Sequence, residues 1–171
     1  MYPSEKLPEI FDVLVNKMSW ESLPPTENSI EKINSHFNMK LPQSLINFAL
    51  KSNNFSGWFS GLGEDYQSTS HIIRVNSLYR QKRMRREGKW VKSMPRNYVI
   101  INLGFDEDCD CIDIDTFNPD TGEYNIKYWS PGIEDGAVHE DFYNYINSHL
   151  MFWSKDIKGE KLSKINEILS A

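Results

Sequence analysis

The sequence predicts an α+β fold, a single domain whose helices pack on a mostly antiparallel, mixed sheet. Three observations carry this prediction. Apolar residues recur at helical spacing from Ile10 to Ala49, and again from Val138 to Leu169. Between these regions the period changes to alternation and β-branched runs bounded by turn residues. The order is therefore helices, sheet, helices, without the strand–helix alternation of a parallel sheet. A chain of 171 residues suffices for one substantial core.

Ile10, Val13 and Leu14 give the first helix one apolar face, and "LPPTEN" (Leu23 to Asn28) breaks the pattern. Ile30, Ile33 and Phe37 form the stripe of a second helix. A third begins at "LPQSLINFAL", with Pro42 in its first turn and Leu45, Phe48 and Ala49 facing inward. "NNFSG" ends it. "HIIRV" (His71 to Val75) predicts a strand, and the basic run "SLYRQKRMRREGKW" after it predicts a solvated helix or a loop. "NYVIINL" (Asn97 to Leu103) reads as a central strand. "CIDIDTF" alternates, placing Ile112 and Ile114 on one face and Asp113 and Asp115 outward or toward a cleft. The change of parity at Cys111–Ile112 predicts a turn or bulge there. "NPDTGE" is a turn, and "YNIKYW" a further strand of an antiparallel meander. Val138, Phe142, Ile146 and Leu150 then mark one helix, and Leu162, Ile165, Ile168 and Leu169 another. The expected division is a core of about residues 26–150, with an N-terminal helix within 1–25 and a C-terminal helix within 151–171.

Hydrophobic and charged shares of 39% and 25% exclude a disordered chain. No apolar run approaches the roughly 20 residues of a membrane span, and "MYPSEKLPEI" lacks the layout of a signal peptide. A cytoplasmic location is the expectation, and two cysteines, Cys109 and Cys111, suit reduced thiols. Charge is unevenly spread. Arg74 to Lys92 holds eight basic residues and one acid, whereas Asp106 to Glu123 holds eight acids and no base. Such asymmetry points to charged partners, or to the two segments facing each other.

The acidic run "GFDEDCDCIDIDT" invites a metal or catalytic reading, and each test fails on a specific residue. Counted from Asp106, a calcium loop requires glycine where Cys111 stands and glutamate where Phe117 stands. Zinc would need two histidines beside Cys109 and Cys111, but His36, His71, His139 and His149 are scattered. In "HEDFY", Tyr143 occupies the place of the second histidine of a zinc protease motif. "GWFSG" puts Ser60 one position late for a nucleophile elbow, and "GLGED" lacks the third glycine of a dinucleotide loop. The reading is therefore no catalytic residue, no metal and no cofactor. It leaves an acidic face that solubilises a strand edge or docks a cationic partner.

An ordered set of features resembles the SMI1/KNR4, or SUKH, superfamily. "IEKINSHFNMKLPQSLINFALKSNNFSG" resembles its helix, Leu-Pro, helix opening, with Ser56 interrupting the usual Asn-Gly. "YVIINLGFDEDCDCIDIDT" is similar to its apolar strand, glycine, acidic turn and strand ending in Asp-Thr. "YNIKYWSPG" and "VHEDFYNYINSHL" resemble the strand and late helix that follow. Cys109, Asp110 and Cys111 depart from a turn that is often glycine-rich, and "RQKRMRREGKW" is unusually basic. The resemblance implies a non-enzymatic, protein-binding domain. Its bacterial type is an immunity protein that neutralises a cognate, cationic toxin domain, nucleases included, by masking the active site. Asp106, Glu107, Asp108, Asp110, Asp113 and Asp115 are then the expected acidic contacts, with Trp58, Phe59, Tyr128 and Trp129 as aromatic anchors. The alternative is a regulatory or scaffold module for an endogenous protein, as in fungal cell-wall regulators. A nucleic-acid binder using Arg80, Lys82, Arg83, Arg85, Arg86 and Lys89 is disfavoured by the net charge of −5.

Overall fold

Leu7, Pro8, Ile10 and Phe11 are buried on helix α1 (Leu7–Leu14), where Pro8 sits in the first turn and costs no intrahelical hydrogen bond. A computed structural model describes residues 1–15, 26–52, 69–81, 84–86, 89–91, 93–103, 108–131 and 136–171. Helix α2 (Glu27–Phe37) starts at Thr26, whose hydroxyl accepts from the Ser29 amide while Ser29 Oγ accepts from the Thr26 amide. It ends at Asn38, which takes the left-handed conformation, φ 51°, that asparagine tolerates. Helix α3 (Gln43–Lys51) has Pro42 at its N-cap, one residue before the first turn. Its expected face of Leu45, Phe48 and Ala49 is buried. The "NNFSG" that was expected to end it lies outside the described residues; the helix stops at Ser52, whose backbone is extended.

The chain continues as α4 (Thr69–Gln81), the hairpin β1 (Met84–Arg86) and β2 (Lys89–Val91), then β3 (Tyr98–Leu103), β4 (Cys109–Asp113), β5 (Ile126–Trp129) and β6 (Val138–His139). Helices α5 (Phe142–Ser154) and α6 (Glu160–Ser170) close it. The four-stranded sheet has the order β3-β4-β5-β6, and every pairing among the described residues is antiparallel. The expected α+β meander is present.

Four sequence expectations need correction. "HIIRV" is helical, because Ile72, Val75, Asn76 and Tyr79 share one stripe of α4 and the polar Asn76 disguises its period. The basic run is neither one helix nor a loop: it ends α4 and then forms the β1–β2 hairpin. Val138 belongs to β6, not to α5, which begins after Asp141 caps it by accepting from the Asn144 amide. On α6 only Ile165 is fully buried; Leu162 and Leu169 are exposed.

The larger core lies between α1, α3, α5 and one sheet face. Phe11 meets Phe48 edge-on at 5.3 Å between ring centroids, and Phe48 meets Phe142 at 5.5 Å. Burying each such side chain contributes about 1.5–3 kcal/mol. A smaller cluster lies against the other face, where Val75 and Tyr79 of α4 pack on Ile100, Cys109, Cys111 and Trp129. Asn147 locks the N-terminus onto α5, donating to the Tyr2 carbonyl at 2.7 Å and accepting from the Tyr2 amide at 3.0 Å. Gly136 passes so close to the Tyr128 carbonyl that a Cβ would overlap it. Among the described residues, no helix is long and apolar enough to cross a membrane.

Helix α4 also covers the outer edge of β3. The fully buried Asn76 accepts from the Ile100 amide at 2.8 Å and donates to the Ile72 carbonyl at 3.0 Å. Arg80 donates to the Tyr98 carbonyl at 2.8 Å, with its guanidinium 5.0 Å from the Phe37 ring centre. Two side chains thus occupy polar backbone groups that would otherwise invite another strand. Replacing Asn76 by leucine leaves the Ile100 amide buried without an acceptor. The expected loss is about 1–3 kcal/mol, read as a lower urea midpoint at unchanged slope. An unchanged midpoint would contradict this account of the edge.

Candidate functional site

The acidic strand β4 is central, with β3 on one side and β5 on the other, and apolar clusters cover both faces. Alternation therefore sorts its side chains between two interiors instead of between core and solvent. Cys109, Cys111 and Asp113 follow one parity; Asp108, Asp110 and Ile112 follow the other.

On the α5 face, the Tyr145 hydroxyl donates to Asp110 Oδ2 at 2.7 Å, and Asn102 Nδ2 donates to the same oxygen at 3.0 Å. Asn102 reaches it because a bulge lies opposite: Ile100 pairs with Cys111 and Asn102 with Asp110, leaving Ile101 as the extra residue. The irregularity expected at Cys111–Ile112 thus sits on the neighbouring strand, and β4 itself keeps regular register. The Tyr145 ring stands between two imidazoles, His139 at 5.5 Å and His149 at 4.7 Å between centroids. Burial pushes the Tyr145 hydroxyl well above its ordinary pKa, and Asp110 adds to the shift. Burial likewise lowers both histidines, with Asp110 pulling partly the other way. Next to this group the Tyr128 hydroxyl donates to Asp108 Oδ2 at 2.6 Å. That hydrogen bond, followed by burial, raises Tyr128.

On the α4 side and at the end of the strand lies Asp113. It was expected to turn outward or toward a cleft; it does not turn outward, being 3% exposed. Lys127 Nζ lies 2.7 Å from its Oδ2, while Oδ1 accepts from Asn97 Nδ2 at 2.7 Å and from the Asp115 amide. That last bond makes Asp113 the cap of a 3-10 turn, Ile114–Thr116, which ends the strand and breaks the expected Ile112/Ile114 alternation. The hydrogen bond to Asp113 raises Lys127 above its ordinary pKa.

The remaining candidates divide as follows. Asp115 is exposed, as expected, and Asp108 and Asp110 are partly exposed. Tyr128 is partly exposed, whereas Trp129 is 8% exposed and packs edge-on against Tyr79 in the smaller core cluster. Trp58, Phe59, Asp106 and Glu107 lie outside the described residues. Among the described residues, no group of three or more His, Cys, Asp or Glu side chains is placed to hold a metal ion. Asn102 and Tyr145 were missed by sequence reasoning, and His139 and His149 were weighed there only as zinc ligands. For Tyr145 and His149 the available signal was their four-residue spacing, continued by Trp153, on one helical face.

These features define a class of protein, an α+β domain whose central, acidic strand is pinned by tyrosine and lysine donors. A comparison with curated proteins returned no match. The sequence profile of the SMI1 / KNR4 family (SUKH-1) matches residues 24–153, and the chain belongs to that family.

The histidine pair gives the site a pH dependence. Unfolded histidine titrates at about 6.5, and both folded values lie lower. Well above that pH both states are neutral and the pair contributes no slope. As pH falls below about 6.5 the unfolded chain binds protons first, so stability declines. The double variant H139Q/H149Q is expected to lose less stability than the parent between pH 7 and 5.5 in urea melts. Equal losses would assign the acid sensitivity elsewhere.

Proposed function

We propose that this protein is a non-enzymatic, cytoplasmic immunity protein that binds a cognate, cationic toxin domain and masks its active site. The supporting observation is the division of labour among the eight acids of Asp106 to Glu123. Asp113 is compensated by Lys127, and Glu123 accepts from the Ser44 amide and hydroxyl. Asp115 and Asp120 are exposed and form no ion pair among the described residues, whereas Asp108 accepts from Tyr128 through one oxygen and has the other buried. Uncompensated charge on a rigid strand and turn attracts a cationic surface and accelerates its docking. A nuclease fits this partner class, because its cleft must be positive to hold a phosphate backbone. Membership in the SMI1 / KNR4 family is consistent with a binding role, but fold alone does not assign one.

The test is a pull-down of the tagged protein against the product of the adjacent gene, washed at low and high salt. The reading requires a complex with a domain that is toxic unless this protein is co-expressed. Neutralising Asp106, Glu107, Asp115 and Asp120 together is expected to weaken that complex about tenfold or more at low salt. It should also flatten the salt dependence. Affinity and salt response equal to those of the parent protein would refute the acidic docking face. Capture of an endogenous protein with no toxic activity would instead support the regulatory alternative.

A further inference from the structure

A second chemical feature lies on the opposite sheet face from the Tyr145 network and plays no part in the proposed docking. Cys109 and Cys111 are two residues apart on β4, so their side chains leave the same face, 1% and 0% exposed. Met94, 2% exposed, is tied to α4 by its amide on the Tyr79 carbonyl. Its Sδ lies 3.9 Å from Cys111 Sγ, and Cys109 belongs to the same buried cluster. Three sulfur atoms are thus gathered in a cluster otherwise walled by Val75, Tyr79, Ile100 and Trp129. Arg80 of α4 is an electrostatic neighbour of Cys111, and its Nε is a buried donor without an acceptor among the described residues.

We propose that Met94, Cys109 and Cys111 form a binding site for one monovalent d10 cation, Cu(I), for which Ag(I) is an equivalent probe. Two thiolates and a thioether are a soft donor set, which selects such ions over calcium, magnesium or manganese. Zinc would need a fourth ligand. Both cysteines are free thiols. On binding, each S–H bond breaks, two sulfur–metal bonds form and the thioether donates a lone pair. Two protons leave to solvent, and the oxidation state of the metal does not change. The resulting complex carries one negative charge, which Arg80 offsets.

The experiment is an anaerobic titration of the reduced full-length protein with Ag(I) and with Cu(I) against a competing chelator. Proton release is followed in weak buffer, and thermal unfolding is followed by circular dichroism. The expected results are one ion and two protons per chain, a higher unfolding midpoint, and loss of 1:1 binding in C109S and C111S. Because Cys→Ser can itself unfold a core, M94L is the decisive variant: it conserves volume and is expected to keep the fold while losing about tenfold in affinity. A lower midpoint on adding metal would show that the ion prefers thiols of the unfolded chain and would overturn the site. So would M94L affinity equal to that of the parent, or more than one ion per chain.

Discussion

An aspartate-rich strand runs through the middle of the sheet with apolar clusters against both faces, and much of the packing answers that constraint. A buried carboxylate is tolerated only with donors around it. Asp110 has Tyr145 and Asn102, and Asp113 has Lys127, Asn97 and the Asp115 amide. The bulge at Ile101 serves the same end, because it keeps Ile101 in the larger core while turning Asn102 toward Asp110. Asn76 then takes the Ile100 amide just before the bulge, which joins α4 to the sheet. Such networks contribute less net stability than apolar packing, but each leaves one satisfied register.

The meander was legible because β-branched runs and turn residues bracket its strands, and α2 and α3 were legible from their apolar stripes and Pro42. The α4 stripe was not. A five-residue stretch holding Ile72, Ile73 and Val75 fits strand or helix equally, and the side chain completing the helical period is an asparagine. Its burial depends on an amide in β3 that a one-dimensional pattern does not reveal. Asp113 was misread for a related reason. Alternation separates two faces of a strand, but whether a face meets water depends on what packs there. Here α4 fills the face that was expected to be open. The Tyr145–histidine group was equally hidden, since it joins residues from β3, β4, β6 and one face of α5.

The two roles of the acids follow from position. Asp110 and Asp113 within β4 build the domain, whereas Asp115 just after it and Asp120 in the Asn118–Glu123 turn carry charge toward solvent. A rigid scaffold presenting uncompensated charge suits recognition by complementary fields, where orientation matters as much as the number of charges. Arg80, the first member of the basic run, is likewise spent on structure through the Tyr98 carbonyl and the Phe37 ring.

This division is tested most directly by equilibrium urea unfolding of two double variants, D110A/D113A and D115A/D120A. The first is predicted to lose roughly 3 kcal/mol or more, because Lys127, Tyr145 and Asn97 lose buried acceptors. The second is predicted to stay within about 0.5 kcal/mol of the parent. Near-parental stability of D110A/D113A, or a large loss in D115A/D120A, would contradict the assignment of structural and outward-facing acids on which the functional reading rests.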